Sequence, residues 1–174
     1  MFLENNIVRL RQLEPEDLDI LYVWENDVDV WSVSNTVAPY SRFVLKQYLE
    51  NSHKEIFETG ELRLIIEDKT TNLPIGTIEL FEFDPINSRV GAGVFIYSES
   101  SRQKGFATAS MNLLIDYCFN ILQLHQVYCN VDENNTKSIK MLTNLDFEIA
   151  GVKKQWRKTS EGWQDEILMQ KIKK

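Results

Sequence analysis

The stretch from Ser98 to Thr108, Ser-Glu-Ser-Ser-Arg-Gln-Lys-Gly-Phe-Ala-Thr, carries the most legible chemistry in the chain. It follows a β-rich apolar run at residues 90–97. Gly105 then opens a segment in which Phe106, Leu113, Leu114, Tyr117, Cys118 and Ile121 recur at helical spacing. The order is strand, polar loop, helix start. The first backbone N–H groups of such a helix have no internal partners and sit at the positive end of its dipole, so they favour a phosphate, and a glycine lets that phosphate come close. Arg102 and Lys104 add positive charge there, in a chain whose net charge is −7.

The common nucleotide and metal motifs are missing. Gly91-Ala92-Gly93 lies inside a strand-like run, and Ile96 stands where the third glycine of GxGxxG would fall, which excludes a dinucleotide turn. Neither a GxxxxGK(S/T) phosphate loop nor a GxSxG elbow occurs. His53, His125, Cys118 and Cys129 show no zinc-ligand spacing, so no metal is expected. An anion-binding helix start without those motifs points to a pyrophosphate-bearing carrier.

The surrounding elements follow from periodicity. Residues 7–13 alternate like a strand, and Glu14-Pro15-Glu16-Asp17 begins a helix with proline early and acids in the first turn. A second helix is predicted over residues 41–59, ended by Gly60. Strand runs at 62–67, 75–83 and 89–97, separated by polar turns, read as an antiparallel meander. A helix over 105–122, a strand over 126–131 and a helix after Asn135 require a parallel crossover. Residues 147–158 and 163–172 close the chain as a hairpin. The fold class is mixed α/β with a central, partly parallel sheet.

At 174 residues and 43% hydrophobic composition, one domain spanning 1–174 is expected. No apolar run approaches the about 18–20 residues that span a bilayer, and the first residues lack a basic-then-apolar leader pattern, so a cytoplasmic protein is expected. Cys118 and Cys129 read as reduced core residues. The acidic balance argues against nucleic-acid binding, which needs a basic face.

Arg102-Gln103-Lys104-Gly105-Phe106-Ala107 matches the (Q/R)-x-x-G-x-(G/A) motif of the GCN5-related N-acetyltransferases. Downstream, Asn135-Thr136-Lys137-Ser138-Ile139 and Leu145-Asp146-Phe147 resemble that family's N-x-x-(S/A) and L-G-F elements, and residues 10–18 resemble the opening of its spermidine and ribosomal-protein branch. The resemblance implies a sheet splayed between the strands at 89–97 and 126–131. It further implies acetyl-coenzyme A as co-substrate, its pyrophosphate held by Arg102, Gln103, Lys104, Gly105, Phe106 and Ala107. Phe95 and Ile96 would pair with the pantetheine arm, and Asn135 and Ser138 would touch its far end. The sequence departs from the pattern at Leu142, where many relatives carry a proton-donating tyrosine, and at Asp146, where they carry glycine; Pro39-Tyr40 keeps a pair found in spermidine enzymes but has Ala38 and Ser41 as neighbours.

Acetyl transfer to an amine needs a neutral nucleophile, whereas alkyl amines titrate at about 10.4, so a base or water relay must take a proton. Glu79 is the candidate, or else a solvated strand charge. Glu79 and Glu82 fall on opposite strand faces unless a bulge intervenes. Tyr128 either protonates the leaving thiolate or simply packs. A backbone N–H near Phe95 or Ile96 would polarise the thioester. For the acceptor, Glu25, Asp27, Asp29, Trp31 and Tyr40, with Trp156 on the hairpin, offer acids and aromatic faces for an ammonium group. The expected reaction is direct acetyl transfer to a primary amine: a polyamine such as spermidine, a protein N-terminus or an amino-sugar-like compound. The alternative is a non-catalytic acyl-coenzyme A binding or sensing module. A homodimer or higher homo-oligomer is compatible with the closing hairpin and exposed strand edges.

Overall fold

The computed structural model describes residues 3–34, 36–97, 99–102 and 104–174. Two short strands, β1 (Leu3–Glu4) and β2 (Val8–Gln12), lead through a 3-10 turn at Pro15–Asp17 into α1 (Leu18–Glu25) and α2 (Val28–Ser34). The helix predicted over 41–59 is two helices, α3 (Arg42–Asn51) and α4 (Ile56–Thr59). Ser41 caps the first, its Oγ accepting the Val44 N–H at 3.2 Å, and Gly60 ends the second in the left-handed region at φ +76°. The meander follows as β3 (Leu62–Asp68), β4 (Leu73–Asp84) and β5 (Arg89–Ile96). Next comes α5 (Phe106–Asp116), which passes into a π-turn at Tyr117–Ile121 rather than running on regularly to residue 122. Then come β6 (Gln126–Asp132), α6 (Thr136–Asn144), and the hairpin β7 (Glu148–Thr159) with β8 (Gly162–Ile172).

Among the described residues, eight strands form one sheet in the order β1-β2-β3-β4-β5-β6-β8-β7. All neighbours are antiparallel except β5 and β6, which run parallel and pair only at Arg89–Gln126, Val90–Val127 and Gly91–Tyr128. Beyond that point β6 stays on β8, Asp132 still opposite Glu166, while β5 stays on β4. The two central strands therefore part company, as the expected splay requires.

Both faces of the sheet are covered, which explains the buried run Leu64-Ile65-Ile66 in β3. Leu64 and Ile66 join Ile78, Leu80, Val127 and the inner face of α5 in the larger core. Ile65 points to the other side, into a smaller core with Leu13, Leu21 and Leu49 beneath α1 and α3. Strand alternation places Arg63, Thr77 and Glu79 on this second face. A bulge between Phe81 and Asp84, with Glu82 at φ +50°, resets the alternation at the far end of β4.

Candidate active site

The gap where β5 and β6 diverge opens into a cavity of about 530 Å³, walled by β4, β5, β6 and α6 and roofed by residues of the α1–α2 region. Register determines which backbone groups face it. Tyr97 donates its N–H to the Ile75 carbonyl at 3.0 Å. In an antiparallel pair this exchange recurs every second residue, so Phe95 and Gly93 also spend their amides and carbonyls on β4. A Cβ on Gly76 would meet the Phe95 carbonyl oxygen at 2.2 Å, as expected for a carbonyl turned toward β4. Val94 and Ile96 carry the groups that face the open edge. Of the predicted pair, the Phe95 backbone is therefore turned away from the gap, and Val94 takes its place. Phe95 contributes its side chain to the cavity wall.

At one end of this edge lies the start of α5. Gly105 has φ +83° and nothing within 4 Å of the position of a Cβ, and its carbonyl accepts the first helical bond from the Ala109 N–H at 2.9 Å. The amides at the start of α5, Phe106 and Ala107, lack helical acceptors by geometry. Phe106 anchors this end in the core, where it is buried, and Ala107 packs partly against it. Lys104 is exposed. Arg102 corrects the expectation of an anion-directed side chain: Nε donates to the Ile96 carbonyl at 2.9 Å, Nη2 to the Tyr97 carbonyl at 3.4 Å, and the guanidinium lies 5.7 Å from the Phe95 ring centre. It staples the loop to the end of β5. Gln103 lies outside the described residues. At the opposite wall, Asn135 caps α6, its Oδ1 accepting the Ser138 N–H at 3.1 Å, and both residues line the cavity beside Leu142.

On the acceptor side, Arg63 of β3 is the hub. Its Nη2 is bonded to Glu25 Oε1, to Thr77 Oγ1 at 3.4 Å and to the Tyr97 hydroxyl at 3.3 Å. Tyr97 in turn stacks on Trp24, ring centres 4.4 Å apart and planes 5° from parallel. Burial pushes the Tyr97 phenol up to about 12, with Arg63 pulling it down and Glu25 adding to the rise. Glu25 lines the cavity as predicted, but it is buried and committed to Arg63. Tyr40 also lines it, held by two hydrogen bonds between its backbone and the Asn26 side chain.

The other acceptor candidates have local duties. Asp27 Oδ1 accepts the Asp29 N–H at 3.0 Å at the start of α2, and Trp31 Nε1 donates to the Glu25 carbonyl at 2.9 Å, tying α2 to α1. Neither borders the cavity among the described residues. Trp156 stands out on the hairpin beneath Lys153, 5.1 Å from the ring centre. A charge suited to holding a ligand and one suited to ending a helix look alike in sequence.

Glu79 projects from β4 into the cavity, directly opposite Arg63 on β3 and Gly93 on β5. The glycines of Gly91-Ala92-Gly93 have separate jobs. A Cβ at Gly91 would strike the Phe81 ring at 2.2 Å, so Gly91 lets Phe81 lie across β5; a Cβ at Gly93 would sit 3.5 Å from Glu79 Oε1, so Gly93 leaves room in front of the carboxylate. The Glu79 tip is open to the cleft, yet enough protein surrounds it for desolvation to raise its pKa; Arg63 opposes the rise and Glu25 and Glu61 reinforce it. Tyr128 is a correction. It belongs to the paired end of the two strands, donates its hydroxyl hydrogen to Glu82, packs edge-on to Phe81 and does not border the cavity among the described residues. Burial first, and then the Glu82 contact, push its pKa well up, the wrong direction for a ready donor.

A sequence model described as the acetyltransferase (GNAT) domain matches residues 8–148. The chain belongs to the GNAT family. The spermidine N(1)-acetyltransferase of Vibrio cholerae is 33% identical over 147 residues, covering 84% of this chain and 82% of that protein. A crystal structure of spermidine N-acetyltransferase from Vibrio cholerae in complex with CoA and spermine superposes with a TM-score of 0.85 at 26% identity, over 97% of this chain and 96% of that one. A dodecameric structure of the Vibrio cholerae enzyme superposes with a TM-score of 0.78 at 27% identity, over 97% and 95%.

As a GNAT N-acetyltransferase the chain is an enzyme, and the sensing-module alternative is not favoured. Its mixed sheet, open between β5 and β6, is the expected fold. Sequence reasoning missed Arg63, Thr77 and Tyr97, which meet only when β3, β4 and β5 are in register. One signal was available: Arg63 is a lone cation inside the apolar run Leu62–Ile66.

Proposed function

We propose that this GNAT enzyme transfers the acetyl group of acetyl-CoA to a primary amine of a polyamine such as spermidine by direct attack within a ternary complex, with residues 1–174 acting as one domain. The observation that carries this reading is the position of Glu79: a carboxylate directly across from the side-chain-free Gly93, beside the unpaired edge of β5. The cofactor supplies an activated acyl group. The chain's residues fit its two ends: the glycine-opened start of α5 suits a pyrophosphate, and the open amides of Val94 and Ile96 suit an amide-bearing arm and a carbonyl that needs polarising. Asn135 and Ser138 stand at the other wall of the same gap.

Glu79 accepts a proton from the bound ammonium, directly or through water. A carboxylate whose pKa is raised is a better base than a free one, provided it remains ionised. The names of the relatives and the Glu79 carboxylate in the cavity both support a cationic acceptor. With Leu142 at the tyrosine position and Tyr128 bonded to Glu82, the thiolate takes its proton from water. The dodecameric relative supports a homo-oligomer, and the buried free thiols Cys118 and Cys129 suit a reducing cytoplasm. Among the described residues no helix is long and apolar enough to cross a membrane.

The test is thiol release from acetyl-CoA with spermidine, spermine, an N-terminal peptide and an amino sugar. Saturable turnover is expected on the polyamines, and E79Q is expected to lower kcat by about 100-fold while leaving cofactor affinity unchanged. Turnover confined to the peptide or the sugar would remove the polyamine reading.

A further inference from the structure

We propose that Arg63 is the positioning residue of the acceptor base: anchored by Glu25, Thr77 and Tyr97, its guanidinium keeps the Glu79 carboxylate ionised and ready in the cleft. This rests on the reading of Glu79 as the base. Arg63 and Glu79 are register partners on neighbouring strands and share one face of the sheet, so their side chains stand side by side whatever the ligand. The guanidinium cannot swing away, because Nη2 is engaged by three groups from three different elements. Its Nε–H is sealed from water and has no acceptor among the described residues, so the anchors do not exhaust its donors.

The charge count around Glu79 makes Arg63 the deciding group. Glu25 faces it from α1, Glu61 from the approach to β3, and the phenols of Tyr48, on α3, and Tyr97, just past β5, stand nearby. Burial and both carboxylates disfavour a second negative charge, and Arg63 is the cation that opposes them. Without it the burial and the two carboxylates act unopposed, and the carboxyl holds its proton to higher pH. An opposite charge beside a carboxyl moves its pKa by about 1–3 units, and each unit is about tenfold in the ionised fraction below the midpoint. A lysine in place of Arg63 retains the charge with a poorer fork, whereas glutamine removes it.

The test follows the Glu79 carboxyl carbon by NMR in the cofactor-free protein, its resonance assigned by loss in E79Q, together with the pH profile of kcat/KM. In R63Q the Glu79 midpoint is expected to rise by about 1–3 units, with R63K close to the wild type. Should R63Q fail to fold, the double variant R63M/E25Q, which leaves no unpaired buried charge, carries the test against E25Q alone: its Glu79 midpoint is expected to lie above that of E25Q. A midpoint unmoved in R63Q, or equal in R63M/E25Q and E25Q, overturns the proposal; loss of rate in R63Q at every pH with an unmoved midpoint would mark Arg63 as merely structural. If the midpoint moves by NMR while the acidic limb of kcat/KM does not follow, Arg63 still holds Glu79 and it is the base reading that falls.

Discussion

Glu79 illustrates how a side chain's function can be in tension with its stability. Its pKa is raised in the fold, chiefly by desolvation, so the folded state binds its proton more tightly than the unfolded chain does. Ionising it therefore costs stability above the folded pKa, and the cost vanishes once pH falls below the unfolded value of about 4.3. E79Q is accordingly expected to melt at a higher temperature than the wild type near pH 7 and at the same temperature near pH 4, read by calorimetry at both values. An equal melting temperature at pH 7 would mean the carboxylate is at ease in its site. Gain of stability with loss of turnover is the pattern expected where a site is arranged for chemistry rather than for packing.

Among the elements, α6 shows one residue serving two ends. Asn135 caps the helix through Ser138 and also borders the gap between β5 and β6. Removing a capping side chain typically costs about 1 kcal/mol, so N135A is expected to lose about that much in urea unfolding. N135D keeps an acceptor at the cap and should hold the helix. If N135D nevertheless raises KM for acetyl-CoA, the amide touches the cofactor; an unchanged KM confines Asn135 to the cap. The edge strand β7 shows a different economy. Its bulge, with Gln155 at φ +50° and its N–H on Asp165 Oδ1 at 2.8 Å, together with Lys153 and Lys154, interrupts a long exposed edge that would otherwise invite strand pairing.

At the scale of the whole molecule, the N-terminal strands are tied to the sheet and to α1 by Arg11. It grips Asp17 with two bonds, Nη1–Oδ2 at 2.7 Å and Nη2–Oδ1 at 2.8 Å, and reaches Glu67 with Nε at 2.6 Å. Asp17 is 5% exposed. Burial works to raise its pKa, but Arg11 and the Glu14 N–H outweigh it and the folded pKa is lowered. The resulting stability is complete above the unfolded value of about 3.9 and is lost as pH falls through the lower folded one. D17N is therefore expected to be less stable than the wild type at pH 7, the two converging as pH falls below the lowered folded pKa of Asp17; a gap that persists there would assign the loss to packing instead.

The alternation of Val8-Arg9-Leu10-Arg11, the spacing of Phe106, Leu113 and Leu114, and Gly105 before a helix are local patterns with local physical causes. They therefore determined by themselves most of the order of strands and helices, the parallel crossover and the glycine-opened start of α5. The split of α3 from α4 and the helix α2 escaped notice because short helices depend on packing more than on periodicity. Only the tertiary structure decided the site. Where β5 and β6 cease to pair, that Val94 rather than Phe95 faces the gap, that Tyr128 is bonded to Glu82, and that Arg63 meets Glu25, 38 residues away in sequence, all depend on register between distant strands. Register is a collective outcome of packing across the whole sheet, and no spacing within one segment encodes it.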